Sequence, residues 1–340
     1  MKPVSSKLFF MVKSRKGKCP ECGSKEVIKW GRQANHQRYK CKRCGASFTL
    51  RRKDVSLNNM FVWFKWWIVG KQTIEQISTL SGHSVRHLKS VFYKYLELAP
   101  QWTIKRSEAV NLLIDGTYFR NKVCLVVYRG HHIKSTLFYR LTDREREWEI
   151  IQDLQALKAL GIRIESVTSD GDRDIIRAVR YVCPYATRQR CLVHIERECL
   201  SWITQFPKTS AGIALRRLVL QISDIATHND ERFWKIQLEK WHLEYGEFLK
   251  ERTVSRTTGT SSYTHDKLRK AYFHIWRALP DMFSFIDNPR IPKSTNALES
   301  FFGHLKDNLR LHRGLSLEHH KNFIKWYLFF RENINKSSAK

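Results

Sequence analysis

The chain has 340 residues, 42% hydrophobic and 12% aromatic, enough apolar material for two or three domains with one sizeable core. Sixty-one Lys and Arg stand against 32 Asp and Glu, so the net charge is +29. That excess calls for a polyanionic partner, either nucleic acid or an anionic membrane surface.

The membrane reading is the weaker one. The most apolar stretch, FVWFKWWIVG at 61–70, is interrupted by Lys65 and falls short of the roughly 20 apolar residues a span needs. KLFFMV at 7–12 is too short for a signal-peptide core and has no small-residue cleavage site nearby. The expectation is a cytoplasmic protein, whose eight cysteines are then thiols or metal ligands in a reducing compartment.

Residues 1–53 hold 16 Lys and Arg against Glu21 and Glu26. Within this block lie Cys19-x2-Cys22 and, 18 residues on, Cys41-x2-Cys44. Two such pairs can close a tetrahedral thiolate cage around Zn²⁺. Gly23 and Gly45 follow the pairs and free each turn to aim N–H groups at sulfur. The alternative is two redox pairs or free thiols, but so small a segment could hardly fold without metal. The segment looks like a zinc ribbon whose basic hairpin (Lys29, Arg32, Arg38, Lys40, Lys42, Arg43) faces DNA phosphates. A purely structural clamp is the plainer option.

Residues 59–98 have helical period: Ile74, Ile77 and Leu80, then Val85, Leu88, Val91, Phe92 and Tyr95. Thr73 and Ser84 are placed to cap two helices, with Ser81-Gly82-His83 as the turn between them. This is the outline of a helix-turn-helix, with Arg86, His87 and Lys89 near the start of the second helix, where major-groove readers carry their base contacts. An ordinary helical hairpin is the alternative. LAPQW at 98–102 reads as a boundary.

Three strands are expected at 109–115, 122–130 and 133–143, joined by short loops as an antiparallel meander. A helix over 145–161 with Ile150, Leu154 and Leu157 on one face and Gly161 as its stop comes next, then a strand over 162–170. A helix over 172–182 and a short strand leading into another helix over 184–194 complete the pattern. This order gives a mixed sheet with helices on both faces. The first strand would end in Asp115 and the fourth in Asp170. Asp-Gly is also ordinary turn chemistry. If those strands are neighbours, however, two carboxylates share one edge and repel unless a cation sits between them. Oxygen donors of this kind suit Mg²⁺ or Mn²⁺, and a third carboxylate completes a two-metal site.

The candidate third is Glu299. A helix starting near Ser294–Asn296 would bury Leu298, Phe302, Leu305 and Leu309. It would present Asn296, Glu299, Gly303 and Lys306 on another face, with Gly303 leaving room for a DNA backbone. The alternative makes Asn296 and Glu299 an N-terminal capping pair.

The strand order, with IDGTYF, SDGDRD and STNALESFFGHLK, resembles the DDE transposases, most closely the Mutator-like superfamily that includes bacterial insertion-sequence enzymes with an N-terminal zinc ribbon. The resemblance covers roughly residues 105–330. It implies an α/β fold: a ribonuclease-H-like mixed sheet with a helical insertion, preceded by a zinc ribbon and a helix-turn-helix. The corresponding domains are 1–55 (ribbon), 56–100 (helix-turn-helix), 105–200 (first part of the core), 201–290 (insertion) and 291–335 (C-terminal core helices). Asp115, Asp170 and Glu299 become the catalytic residues, holding two Mg²⁺ (or Mn²⁺) about 4 Å apart. RCLVHIE supplies the superfamily's Cys-x2-His signature as Cys191 and His194, supporting the active site. One structural Zn²⁺ would sit on Cys19, Cys22, Cys41 and Cys44. Arg32, Arg38, Lys42, Arg43, Arg86, His87, Lys89 and Lys306 would contact DNA. The implied activity is binding of the terminal inverted repeats of an insertion sequence, metal-dependent cleavage, and strand transfer into target DNA. Joining two ends at once implies a homodimer or larger assembly.

Among the remaining residues, the spacing of Cys183, Cys191, His194 and Cys199 fits no common zinc site. Asp172 and Asp174 read as a helix cap and first turn. TVSRTTGTSSY at 253–263 reads as a flexible loop, and NFIKWYLFF at 322–330 as core or a partner helix. The rival functions are a catalytically inert transposase-derived regulator, a protein-interaction scaffold, and a nuclease without strand transfer.

Overall fold

The computed structural model describes residues 18–19, 22, 24–33, 36–49, 53–104 and 109–337. By its internal contacts the chain divides into two units, residues 1–65 and 66–340.

In the first unit β1 (Val27–Gln33), β2 (His36–Cys41) and β3 (Ser47–Thr49) form an antiparallel sheet in that order, with the expected hairpin between the cysteine pairs. Gly45 takes φ +74 and lets the chain turn back into β3 beyond the second cysteine pair. The helix α1 (Lys53–Val69) follows in chain order.

The second unit continues with α2 (Ile74–Ser81) and α3 (Val85–Leu96). Thr73 and Gln76 make a reciprocal capping box, Ser84 accepts from the His87 N–H, and Gly82 ends α2 at φ +70. Ile74, Ile77, Leu88, Phe92 and Leu96 are buried; Leu80, expected on that stripe, is 58% exposed because α2 ends one residue later.

The central sheet has five strands in the order β6-β5-β4-β7-β8. β4 (Ala109–Phe119), β5 (Val123–Gly130) and β6 (Ser135–Thr142) form the antiparallel meander; β7 (Arg163–Ser169) runs parallel to β4, and β8 (Thr187–Arg190) parallel to β7. Alternation along β4 sends Val110, Leu112 and Ile114 to one face. There they pack with Ile150, Leu154 and Leu157 of α4 (Glu147–Ala159) and Ile175, Ala178 and Val179 of α5 (Arg173–Val182). Each fully buried aliphatic side chain here contributes about 1.5–3 kcal/mol, so this face holds the sheet rigid beneath the site.

The other face of β4 meets α11 (Asn296–Leu311), while β6 meets α12 (Leu317–Ser337). Buried Glu332 of α12 accepts from the Ser135 hydroxyl at 2.7 Å and the Thr136 N–H at 2.8 Å. The 322–330 stretch is core: Phe323, Ile324, Trp326, Tyr327, Leu328 and Phe330 are all buried. Asn322 and Trp326 also donate to the carbonyls of Leu96 and Leu98, which anchors the end of α3 on α12.

Between β8 and α11 the chain builds a second core. It comprises α6 (Leu192–Ile203), α7 (Ser210–Leu220), α8 (His228–Tyr245) and α9 (Asp266–Ala278), around Leu215, Trp234, Trp241 and Ile275. The stretch expected as a flexible loop at 253–263 is instead a short hairpin, β9 (Arg252–Val254) paired with β10 (Ser261–Tyr263). Its polar residues pair strand to strand, and Arg252 and Arg269 stack on Tyr263.

Candidate active site and metal-binding cysteines

Asp115 is not at a strand end. β4 runs four residues past it to Phe119, with Asp115 opposite Val127 of β5 and Gly116 opposite Val126. The turn alternative therefore fails: Asp115-Gly116 is mid-strand. On the other side, Leu113 pairs in register with Thr168 of β7. Two residues further on come Asp115, still within β4, and Asp170, just past the end of β7, so the adjacency of the first and fourth strands puts these carboxylates level. β7 stops at Ser169; the Asp170 carboxylate accepts the Asp172 N–H at 2.9 Å, and Asp172 in turn caps α5 through the Asp174 and Ile175 N–H groups.

Odd-numbered residues of β4 face α11, which brings Glu299, in the first turn of that helix, over Asp115. The capping alternative for Glu299 also fails. Thr295 is the N-cap, without a side-chain cap bond, and the Glu299 carboxylate turns away to meet Arg197 at 3.1 and 2.8 Å and His194 Nε2 at 3.5 Å. Leu298, Phe302 and Leu305 are buried as expected, but Leu309 is half-buried. Asn308 takes its place in the interior, where its Oδ1 accepts the Lys71 N–H.

Behind Glu299, Cys191 caps the start of α6 and receives the Thr295 N–H at 3.3 Å and its hydroxyl at 3.5 Å. The same hydroxyl lies 3.4 Å from His194 Nδ1. The Cys191 thiol is drawn below its usual range: burial pushes it up, and the bonds from His194 and Thr295 outweigh that. His194 is pushed up to about 9, first by its bond to Cys191 and, against burial, by the charges of Cys191, Asp115 and Asp170. The bond between Cys191 and His194 thus favours the protonated form of the imidazole beside the carboxylates.

A fourth carboxylate, marked by no sequence motif, lies close to the other acidic groups. Glu145, in the segment between β6 and α4, reaches Gly116 so closely that a Cβ on Gly116 would stand 1.8 Å from its Oε1. Only the glycine lets it approach. The available signal was a glycine in mid-strand, where one marks close approach. Burial, then the charges of Asp170, Asp172 and Asp115, push Glu145 up to about 8. Burial and the Asp170 charge push Asp115 up to about 7, with Glu299 adding and the Gly116 N–H and His194 opposing. Among the described residues no basic side chain pairs with Asp115 or Glu145 within 4 Å. Hard oxygen donors, partly buried and mutually repelling, are the set a divalent cation such as Mg²⁺ or Mn²⁺ would neutralise.

The second metal candidate is the cysteine set. The Sγ atoms of Cys19, Cys22, Cys41 and Cys44 lie within 4.8 Å of one another, with Cys19–Cys44 at 3.5 Å and Cys22–Cys41 at 3.6 Å. Four thiolates at tetrahedral positions around Zn²⁺ stand at about this separation, so the site could hold zinc. The carboxylates are not gathered as tightly, since Glu299 is turned to Arg197.

Of the remaining candidates, Arg32, Lys42, Arg43, Arg86, His87 and Lys89 are exposed. Arg38 is half-buried and donates to the Ser47 hydroxyl at 3.1 Å, and Lys306 lies over the Phe119 ring at 5.8 Å.

Residues 128–246 match the family model described as Transposase, Mutator family. Over this stretch the chain is similar to the Mutator family of transposases. The matched residues include Glu145, Asp170, Cys191 and His194; Asp115 and Glu299 lie outside the match. No curated protein matches. Among solved structures, one chain of the cryo-EM structure of the simian T-cell lymphotropic virus intasome in complex with PP2A regulatory subunit B56 gamma is 15% identical. That likeness covers 48% of this chain and 69% of the other, at a TM-score of 0.20. No helix among the described residues is long and apolar enough to cross a membrane.

Proposed function

We propose that this chain is a DDE transposase that cuts the ends of its own insertion sequence and joins them to target DNA. The observation that carries the reading is the level placement of Asp115 on β4 and Asp170 just past the end of parallel β7, with Glu299 carried over them by α11, in a chain whose residues 128–246 match the Mutator family. The sheet order, three antiparallel strands and then two parallel ones, supports a ribonuclease-H-like core. Divalent metal bound there would lower the pKa of a water and neutralise charge on the leaving 3′ oxygen.

The protein's own groups prepare for this. Asp115 is fixed by the rigid sheet, Asp170 by its bond from the Asp172 N–H, and Glu299 waits on Arg197 and His194. His194 as an imidazolium offsets the negative charge of the site and holds Glu299 within reach. No serine or tyrosine nucleophile is assigned, because a freed 3′-OH can itself attack the target strand. The tetracysteine ribbon, holding one zinc, and the exposed Arg86, His87 and Lys89 of α3 would recognise DNA. Two ends joined in one event call for a homodimer or larger complex. In this reading the chain is organised as a ribbon (1–55), a helix-turn-helix (56–100), and a core (105–200 and 291–335) split by the insertion (201–290).

The test is a cleavage and joining assay. Full-length protein with Mg²⁺ or Mn²⁺ and DNA carrying the sequences that flank its gene should nick at the element ends. A pre-cut end with a free 3′-OH should be joined to plasmid. Asp115→Asn, Asp170→Asn and Glu299→Gln should each abolish both steps, whereas Asp172→Asn should leave them nearly intact. Nicking without joining would leave a nuclease; binding without either would leave a regulator.

A further inference from the structure

Arg190 is the last residue of β8, paired in register with Ser169, the residue before Asp170. Its guanidinium packs against Gly171, where a Cβ would stand 1.9 Å from Cζ and from Nε, and Gly171 at φ +90 adopts a backbone that side-chain-bearing residues rarely take. Arg190 is only 7% exposed. Yet its Nε has no hydrogen-bond partner among the described residues, and no carboxylate there lies within 4 Å of it. Arg188, two residues earlier on the same strand, shows the ordinary arrangement, with both prongs on Asp281 at 3.3 and 3.4 Å. The Asp170 charge acts on Arg190 without bonding to it, and a buried guanidinium nitrogen left without a bond is unfavourable unless something else supplies an acceptor. The planar fork of Arg matches two oxygens of a phosphate group.

We propose that Arg190 is a substrate-contacting residue of this site, which takes the phosphate of the DNA strand laid against Asp170. The inference rests on the DNA-cleaving reading above for the identity of the anion, and on Arg190's own burial and open Nε for the binding. The aspartates repel a bare phosphate, so the strand needs a cationic contact from the protein as well as from metal. The backbone of Arg190 is fixed at the end of β8 by its pairing with Ser169, and its side chain is packed against Gly171. Gly171 and Arg190 thus act together: the glycine clears the space that the guanidinium occupies.

The test uses the full chain as wild type, Arg190→Met, Arg190→Lys, and Arg163→Met as a surface control, since Arg163 is exposed and pairs with Glu165. Thermal unfolding is followed with Mg²⁺ present, in inorganic phosphate and in chloride of matched ionic strength. Phosphate should raise the Tm of wild type and of Arg163→Met by about 1–3 °C and leave Arg190→Met unmoved. In chloride, Arg190→Met should be at least as stable as wild type, because an unpaired buried charge has been removed. An undiminished phosphate shift in Arg190→Met, or a loss of several degrees in chloride, would overturn the proposal and make the arginine a structural strut. In parallel, Mn²⁺-dependent nicking of supercoiled plasmid should fall on the order of a hundredfold in Arg190→Met and be only partly restored in Arg190→Lys. Wild type that nicks alongside an Arg190→Met that nicks equally well sinks this proposal and leaves the transposase reading standing. Wild type that never nicks counts against that reading, while the phosphate shift still decides Arg190.

Discussion

Arg197 grips Glu299 with both prongs, Nη1 to Oε1 at 3.1 Å and Nη2 to Oε2 at 2.8 Å. The two residues come from α6 and α11, 102 positions apart, and the pair competes with any metal for the same carboxylate oxygens. The arginine is more than half exposed, so the pair is worth about 0–1 kcal/mol. Arg197→Ala should therefore tighten Mn²⁺ binding in DNA-free protein by up to about fivefold, read by paramagnetic titration. Weaker Mn²⁺ binding would mean that Arg197 holds Glu299 ready rather than away.

Asp115 makes stability depend on pH in a defined direction. Its folded pKa, about 7, lies above the ordinary carboxyl value of 3.8, so the native state favours the protonated form. The penalty is absent below about pH 4, grows as pH rises toward 7, and is complete above it. With no Mg²⁺ or Mn²⁺ present, Asp115→Asn should be more stable than wild type at pH 8 by on the order of 4 kcal/mol and indistinguishable near pH 4. Saturating Mg²⁺ should erase the difference. Equal stability at pH 8 would show that Asp115 is not held among like charges.

Glu145 and Gly116 should behave as one unit. Glu145→Gln removes a carboxylate that burial and Asp170 push up to about 8, and it should weaken Mn²⁺-dependent nicking while sparing DNA affinity. Gly116→Ala puts a methyl where the Glu145 carboxyl lies; that flexible end can swing aside, so the fold should survive and the same activity should fall. The double variant should be scarcely worse than either single one, as expected for coupled groups. Additive losses in nicking assays would separate the two residues.

The cysteine cluster predicts one zinc per chain. Elemental analysis of the full chain should show it, and Cys22→Ser or Cys41→Ser should lose it, along with the thermal transition of the ribbon. Retention of zinc in both variants would locate the metal elsewhere.

Arg86 lies exposed in the first turn of α3, behind the Ser84 cap. Arg86→Ala should reduce binding to element-end DNA more than to random DNA, costing about 1–3 kcal/mol of discrimination, whereas loss of a phosphate-contacting lysine lowers both alike. Competition binding with the two DNAs decides it; an unchanged ratio would make α2 and α3 a structural hairpin.

What the sequence determined alone was local. Paired Cys-x2-Cys turns, the Thr73 and Ser84 caps, the Gly82 turn, the Asp172 cap and the period of α4 and α5 are all legible because each depends on residues a few positions apart. The order of strands also limits the sheet to few pairings, and the adjacency of β4 and β7, a condition in the sequence reading, is the one the fold adopts. Register and reach were decided only in three dimensions. The length of β4 depends on β5 continuing beside it, so Asp115 looked terminal when it is mid-strand. The 253–263 hairpin was hidden because its strands are polar and short, and pairing rather than hydrophobic alternation holds them. Glu145, Arg190 and Arg197 carry no motif. Each matters through a group reached only when separate strands and helices pack, across Gly116, over Gly171, and from α6 to α11. Side-chain spacing along a chain encodes which face a residue takes; which distant charge it will then meet is settled by the packing of those faces.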